Sequence, residues 1–208
     1  MRKATIILVV LAAITCMTGS AVAAPLLQGA AMWPVAAEPD PVGGVILAQV
    51  AAPFAGPKFS GTVTSTVLAG DASNPLGGLT FTYLLQNNAN SIDEIGRFTI
   101  NDFAGFLTDV SFQVGPGLPP AIVDRNTAGD VIGFSFFGPP IGAGLLAPGQ
   151  FSALLVVQTN ATIFNQTFVS VIDGGVAMAP SFAPLPEPAT LGLLVLGGLA
   201  ILRSRRRK

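Results

Sequence analysis

From about Phe59 to about Gly175 the chain is cut into short segments that alternate apolar with small or polar residues, and none of them sustains a helical period. Side chains of a strand point to opposite faces in turn, so in Leu79-Thr80-Phe81-Thr82-Tyr83 the three large residues share one face and the threonines the other. The stretches 59–64, 97–100, 110–114 and 132–136 repeat the pattern, while 151–157 and 167–172 are apolar on both faces, as strands covered on both sides would be. Clusters of Gly, Pro, Asn and Asp at 70–75, 86–90, 115–120 and 138–140 supply the turns between them. The spacing predicts an all-β fold, an antiparallel β-sandwich of about seven strands over residues 58–175, with a closed barrel as the structural alternative.

The flanks read differently. Residues 24–57 are rich in Ala, Pro and Gly and hold the only tryptophan, Trp33. They are expected to be extended or mobile, with 45–50 as a possible added edge strand. Residues 176–185, with Pro180 and Pro184, are expected to form a linker.

Both ends carry export signatures. Arg2 and Lys3 precede an apolar run from Ala4 to Ile14, and small residues follow up to Ala21-Val22-Ala23. This is the n-region, h-region and A-x-A pattern of a signal peptide over 1–23, with Ala21 and Ala23 at the small-residue positions of the cleavage site. At the other end Pro186-Glu187-Pro188 interrupts the backbone, because each proline lacks an N–H and pushes its predecessor toward extended structure. An apolar run from Ala189 to Leu202 follows, then a basic stop of Arg203, Arg205, Arg206, Arg207 and Lys208. As a hydrophobic helix the run would be about 21 Å long, short of a hydrocarbon core of about 30 Å, and arginines that snorkel to the headgroups lengthen its effective span. With basic residues holding both ends in the cytoplasm, everything between them is expected outside.

The order Pro-Glu-Pro, apolar run and Arg-rich end over 186–208 resembles the PEP-CTERM sorting signal of exported bacterial proteins. The resemblance implies an exosortase-type processing enzyme in the membrane that recognises the Pro-Glu-Pro region, a transient inner-membrane intermediate, and delivery to the cell surface or extracellular matrix, often among exopolysaccharide. It covers about the last tenth of the chain and implies nothing about a ligand of the folded part.

Composition narrows the chemistry of that folded part. Between the two signals lie three basic residues, Lys58, Arg97 and Arg125, against ten acidic ones, a net charge of −7. Such a surface repels nucleic acid and anionic lipid. The chain has no histidine, and its one cysteine, Cys16, falls within the signal peptide. Ser–His–Asp triads, Cys–His pairs and His/Cys metal sites are thereby excluded. No catalytic or cofactor-binding residue is assigned and no cofactor is expected; paired carboxylates for glycoside chemistry remain a distant alternative. Asp124-Arg125-Asn126-Thr127-Ala128-Gly129-Asp130 has oxygen ligands at the first and third positions of a calcium loop, but Ala128 and Ser135 stand at its fifth and twelfth. The favoured reading is a hairpin turn in which Gly129 takes a positive φ, and no metal ligand is assigned. The expected function is a non-enzymatic, exported surface or matrix protein. The alternative is an exopolysaccharide-binding module, whose usual stacking platforms would have to come from Trp33 or Tyr83.

Overall fold

The computed structural model describes residues 25–138 and 144–186. The expected signal peptide with Ala21 and Ala23, the C-terminal hydrophobic helix, Glu187, Pro188 and the basic stop lie outside the described residues. Twelve strands follow one another: β1 (Ala31–Met32), β2 (Ala36–Glu38), β3 (Val45–Ala55), β4 (Ser60–Ala69), β5 (Thr80–Asn87), β6 (Arg97–Ile100), β7 (Thr108–Gln113), β8 (Ile122–Arg125), β9 (Ile132–Ser135), β10 (Leu155–Thr159), β11 (Phe164–Ile172) and β12 (Val176–Pro184). They form two sheets of six, in the orders β2-β7-β10-β5-β4-β3 and β1-β8-β9-β6-β11-β12. Every neighbouring pair is antiparallel except β2 and β7, which run parallel.

The two sheets pack face to face around an aromatic core. Leu79, Phe81 and Tyr83 are all buried on the inner face of the first sheet, as their alternation requires. Tyr83 meets Phe98 of the second sheet with ring centroids 5.6 Å apart, and its hydroxyl donates to the Phe182 carbonyl at 2.8 Å. Phe81 meets Phe103 edge to face at 5.9 Å. A buried tyrosine needs such a partner for its polar end, and here the bond also ties β5 to β12 across the sandwich.

Two expectations about the flanks are corrected. Residues 24–57 are not chiefly a mobile segment, since they contribute β1, β2 and the eleven-residue β3, which pairs with β4 along its length through a register shift between Ile46 and Ala48. Residues 176–185 are not a linker, because 176–184 form β12, in register with β11 from Val176 opposite Ile172 to Pro184 opposite Phe164. Both strands stand at the edge of their sheets, where a proline's missing N–H removes no ladder bond; Pro53, Pro180 and Pro184 are tolerated for that reason. Every strand described here finds its partners within residues 25–186.

The N-terminal arm crosses from one sheet to the other. Met32 pairs with Val123 in the second sheet, and Ala36 pairs with Ser111 in the first. Beyond β2 the chain passes over the outer face of the first sheet. There the Ser111 hydroxyl donates to Asp40 at 2.7 Å, and the Val42 N–H donates to Asp71 at 2.9 Å. Thr80, Thr82 and Gln158, on the face turned away from the aromatic core, are consequently buried as well.

Candidate functional site

A cleft of about 480 Å³ opens at one end of the sandwich. Asn165 and Thr167 on β11 line it, and they share the face of Val169 and Val171, which are buried. The strand therefore changes chemistry along one face, apolar where the sheets meet and polar where they part. Asp102 and Asp130 come from the loops after β6 and before β9, while Ala183, Pro184, Leu185 and Pro186 form an apolar wall.

Asp102 is the one non-glycine residue with positive φ among the described residues, at 72°. Asp and Asn tolerate this region better than other side chains, because they bond locally. The Thr167 hydroxyl donates to the Asp102 carboxylate at 2.5 Å, and Asn101 Nδ2 donates to the Phe168 carbonyl at 3.2 Å. On the other side Asn126 Nδ2 donates to Asp130 at 2.5 Å, while the Phe103 N–H donates to the Asp130 carbonyl at 3.0 Å. The two carboxylates are thus held at the mouth, Asp102 by β11 and Asp130 by its own loop. Such a surface offers acceptors for hydroxyl or amine donors above an apolar wall, the composition of a small-molecule or sugar subsite.

The other residues singled out in the sequence fall elsewhere. Asp124 is engaged by Arg97, whose Nη1 and Nη2 donate to its two oxygens at 2.6 and 2.8 Å. The guanidinium reaches it across Gly133, where an added Cβ would lie 2.0 Å from the Arg97 Nη2. Asn126 accepts from the Asp130 and Val131 N–H groups, and Gly129 has φ 75°, so the loop closes the β8–β9 hairpin. Among the described residues no group of three or more acidic side chains is arranged to hold a metal ion. Tyr83 is wholly buried and offers no stacking surface, whereas Trp33 on the N-terminal arm is 55% exposed. Asp93 pairs with Lys58 at 3.2 Å.

Pro186 is the only member of the expected Pro-Glu-Pro motif among the described residues, and it stands on the cleft wall. The preceding Leu185 is still held by the fold, its N–H donating to the Ile163 carbonyl at 3.1 Å. The cleft was not foreseen from sequence. Its one local signal is the pair of polar residues, Asn165 and Thr167, at alternate positions just before the apolar Val169 and Val171. No family model matches the chain, and no curated protein or solved structure matches it.

Proposed function

We propose that this is an exported protein of the cell surface or extracellular matrix, a non-catalytic β-sandwich delivered by a C-terminal exosortase-type signal. The observation that carries this reading is the junction at Leu185 and Pro186. The last strand ends at Pro184, the last described bond to the fold is made by Leu185, and the Pro-Glu-Pro motif begins at the next residue. A processing enzyme that reads extended backbone meets its motif where the sheet stops. Changing Pro186, Glu187 and Pro188 together to alanine is expected to leave a full-length, membrane-retained species in cell fractionation. Unchanged processing of that variant would overturn the sorting reading.

A second reading is favoured by the cleft. Two carboxylates, an amide and a hydroxyl above a wall of Pro and Leu suit the hydroxyl-rich face of a neutral polysaccharide, and the net charge of −7 disfavours an acidic one. Retention of the Ala24–Leu185 fragment on a column of native exopolysaccharide is expected to fall by about tenfold or more in Asp102→Asn/Asp130→Asn, the loss of about 1.4 kcal/mol or more of binding energy. Equal retention of variant and parent would remove the cleft from consideration, and no retention of either would remove the polysaccharide.

A further inference from the structure

We propose that the N-terminal arm, residues 25–44, is a proton-gated strap: it stays docked on the first sheet while Glu38 and Asp109, buried beside Asp40, hold protons, and it lifts when they ionise.

The geometry begins with the pleat of β7. Thr108 and Asp109 are adjacent, so their side chains leave on opposite faces. Thr108 turns toward Arg125, while Asp109 lies on the face that the arm crosses. Glu38 and Asp40 belong to the arm itself. Glu38 is 8% exposed, Asp40 2% and Asp109 2%. Both carboxylate oxygens of Asp109 and Oε1 of Glu38 are buried without a hydrogen-bond partner, and Asp40 accepts from Ser111.

No base answers this cluster. Of the three basic residues among the described residues, Lys58 pairs with Asp93 and Arg97 with Asp124, while Arg125 spends its five donors on carbonyls and the Thr108 hydroxyl. The other elements packed here add no positive charge either. β10 presents Gln158, whose amide donates to Asp71 and Ser73, and Asp71 is itself a carboxylate already saturated with donors.

An unpaired buried carboxylate is costly enough that it takes up a proton instead. Burial, then the nearby Asp40 and Asp109 charges and a hydrogen bond to Asp40, raise the Glu38 pKa to about 7. Burial is also the main cause at Asp109, raised to about 6; the adjacent Val110 N–H, which lies outside hydrogen-bonding geometry, opposes it and the Asp40 charge adds to it. Carboxyl pKa values raised this far weaken docking of each ionised form by roughly a hundredfold. Besides the acid cluster, the arm is held on this face by three residues of parallel pairing in β2, by the Val114 N–H to the Glu38 carbonyl and by the bonds of Val42 to Asp71 and Ala72.

The chain carries its own reporter. Trp33, the only tryptophan, lies on the arm between β1 and β2. Its emission in the Ala24–Leu185 fragment is expected to change with a midpoint between about pH 6 and about pH 7, while the far-ultraviolet circular dichroism of the sandwich holds constant. In Glu38→Gln/Asp109→Asn the transition is expected to vanish. At about pH 8, chymotrypsin is expected to cut wild type within residues 25–44 roughly a hundredfold faster than this variant. A wild-type emission that is flat from about pH 5 to about pH 8.5 would overturn the strap without recourse to any variant. Equal cutting rates would do the same. A transition abolished by millimolar calcium and restored by chelator would also overturn it, by making the cluster a cation site.

Discussion

Arg125→Ala is expected to lower the stability of the Ala24–Leu185 fragment by about 3–4 kcal/mol in urea denaturation, among the largest effects of any single polar substitution in this fold. The guanidinium is almost wholly buried and faces no carboxylate. Its Nε donates to the Gly129 carbonyl at 2.9 Å, Nη1 to Leu26 O and Thr108 Oγ1 at 3.2 and 3.0 Å, and Nη2 to Phe103 O and Phe106 O at 2.7 and 2.9 Å. Burial pushes its pKa below the usual arginine value, yet all five donors are satisfied by neutral oxygens. Alanine leaves those oxygens unpaired inside the protein, and each buried acceptor so abandoned costs about 1–3 kcal/mol before water enters. Arg125→Lys keeps the charge but brings three donors rather than the planar set of five, so it is expected to recover only part of the loss. A loss below about 1 kcal/mol for the alanine variant would mean that water replaces the guanidinium without difficulty.

The second large effect has the opposite sign. Asp109→Asn is expected to stabilise the fragment by about 2 kcal/mol at about pH 8, because it replaces a buried carboxylate lacking hydrogen-bond donors with a neutral side chain of the same shape. Asp109 and Glu38 have native pKa values raised above their unfolded ones, so the native state binds more protons than the unfolded state between those values. Their contribution to stability is therefore fully present below about pH 4, falls as pH rises through about 6 to 7, and is flat above. Asp71 works in the other direction. Burial favours raising its pKa, but donors from Ser73 and Thr80 and the N–H groups of Val42 and Ser73 outweigh burial and hold it below the ordinary value. Its contribution is present at neutral pH and is lost as the solution becomes strongly acidic. The melting temperature of wild type is thus expected to peak on the acid side of neutrality and that of Asp109→Asn to decline less from there to about pH 8. Parallel profiles for the two proteins would show that Asp109 does not titrate in the native state.

The strands that carry large side chains were legible in the sequence, and those that carry small ones were not. β5 declares itself through Leu79, Phe81 and Tyr83, each of which fills core volume at alternate positions. β12 alternates just as strictly, with Ala177, Ala179, Ser181 and Ala183 turned inward, but these residues give little hydropathic contrast and Pro180 and Pro184 suggest a break. β3 suffers the same disguise, since only Ala52 and Phe54 of its length are buried and Pro53 sits between them. In both cases position at a sheet edge, which no local pattern encodes, makes the proline acceptable. The burial of Thr80 and Gln158 is equally silent in the sequence, because what roofs them includes an arm some forty to more than a hundred residues away. Asp102 and Asp130 were visible only as isolated acids in turns. They join Asn165 and Thr167 through the pairing of β6 with both β9 and β11, a relation among three strands that are not consecutive in the chain.

The folding of 176–184 into β12 removes reach. Ten residues of free extended chain would have given a stalk of about 33 Å between the sandwich and whatever holds its C-terminal side. With that length stitched to β11, a chain fixed at Pro186 stands as a knob directly on its point of attachment. Leu185 and Pro186 both follow the last paired residue of β12 and form part of the cleft wall. If the proposed signal tethers the chain there, a ligand entering beside Asp102 and Asp130 approaches from the flank, along the tethering surface.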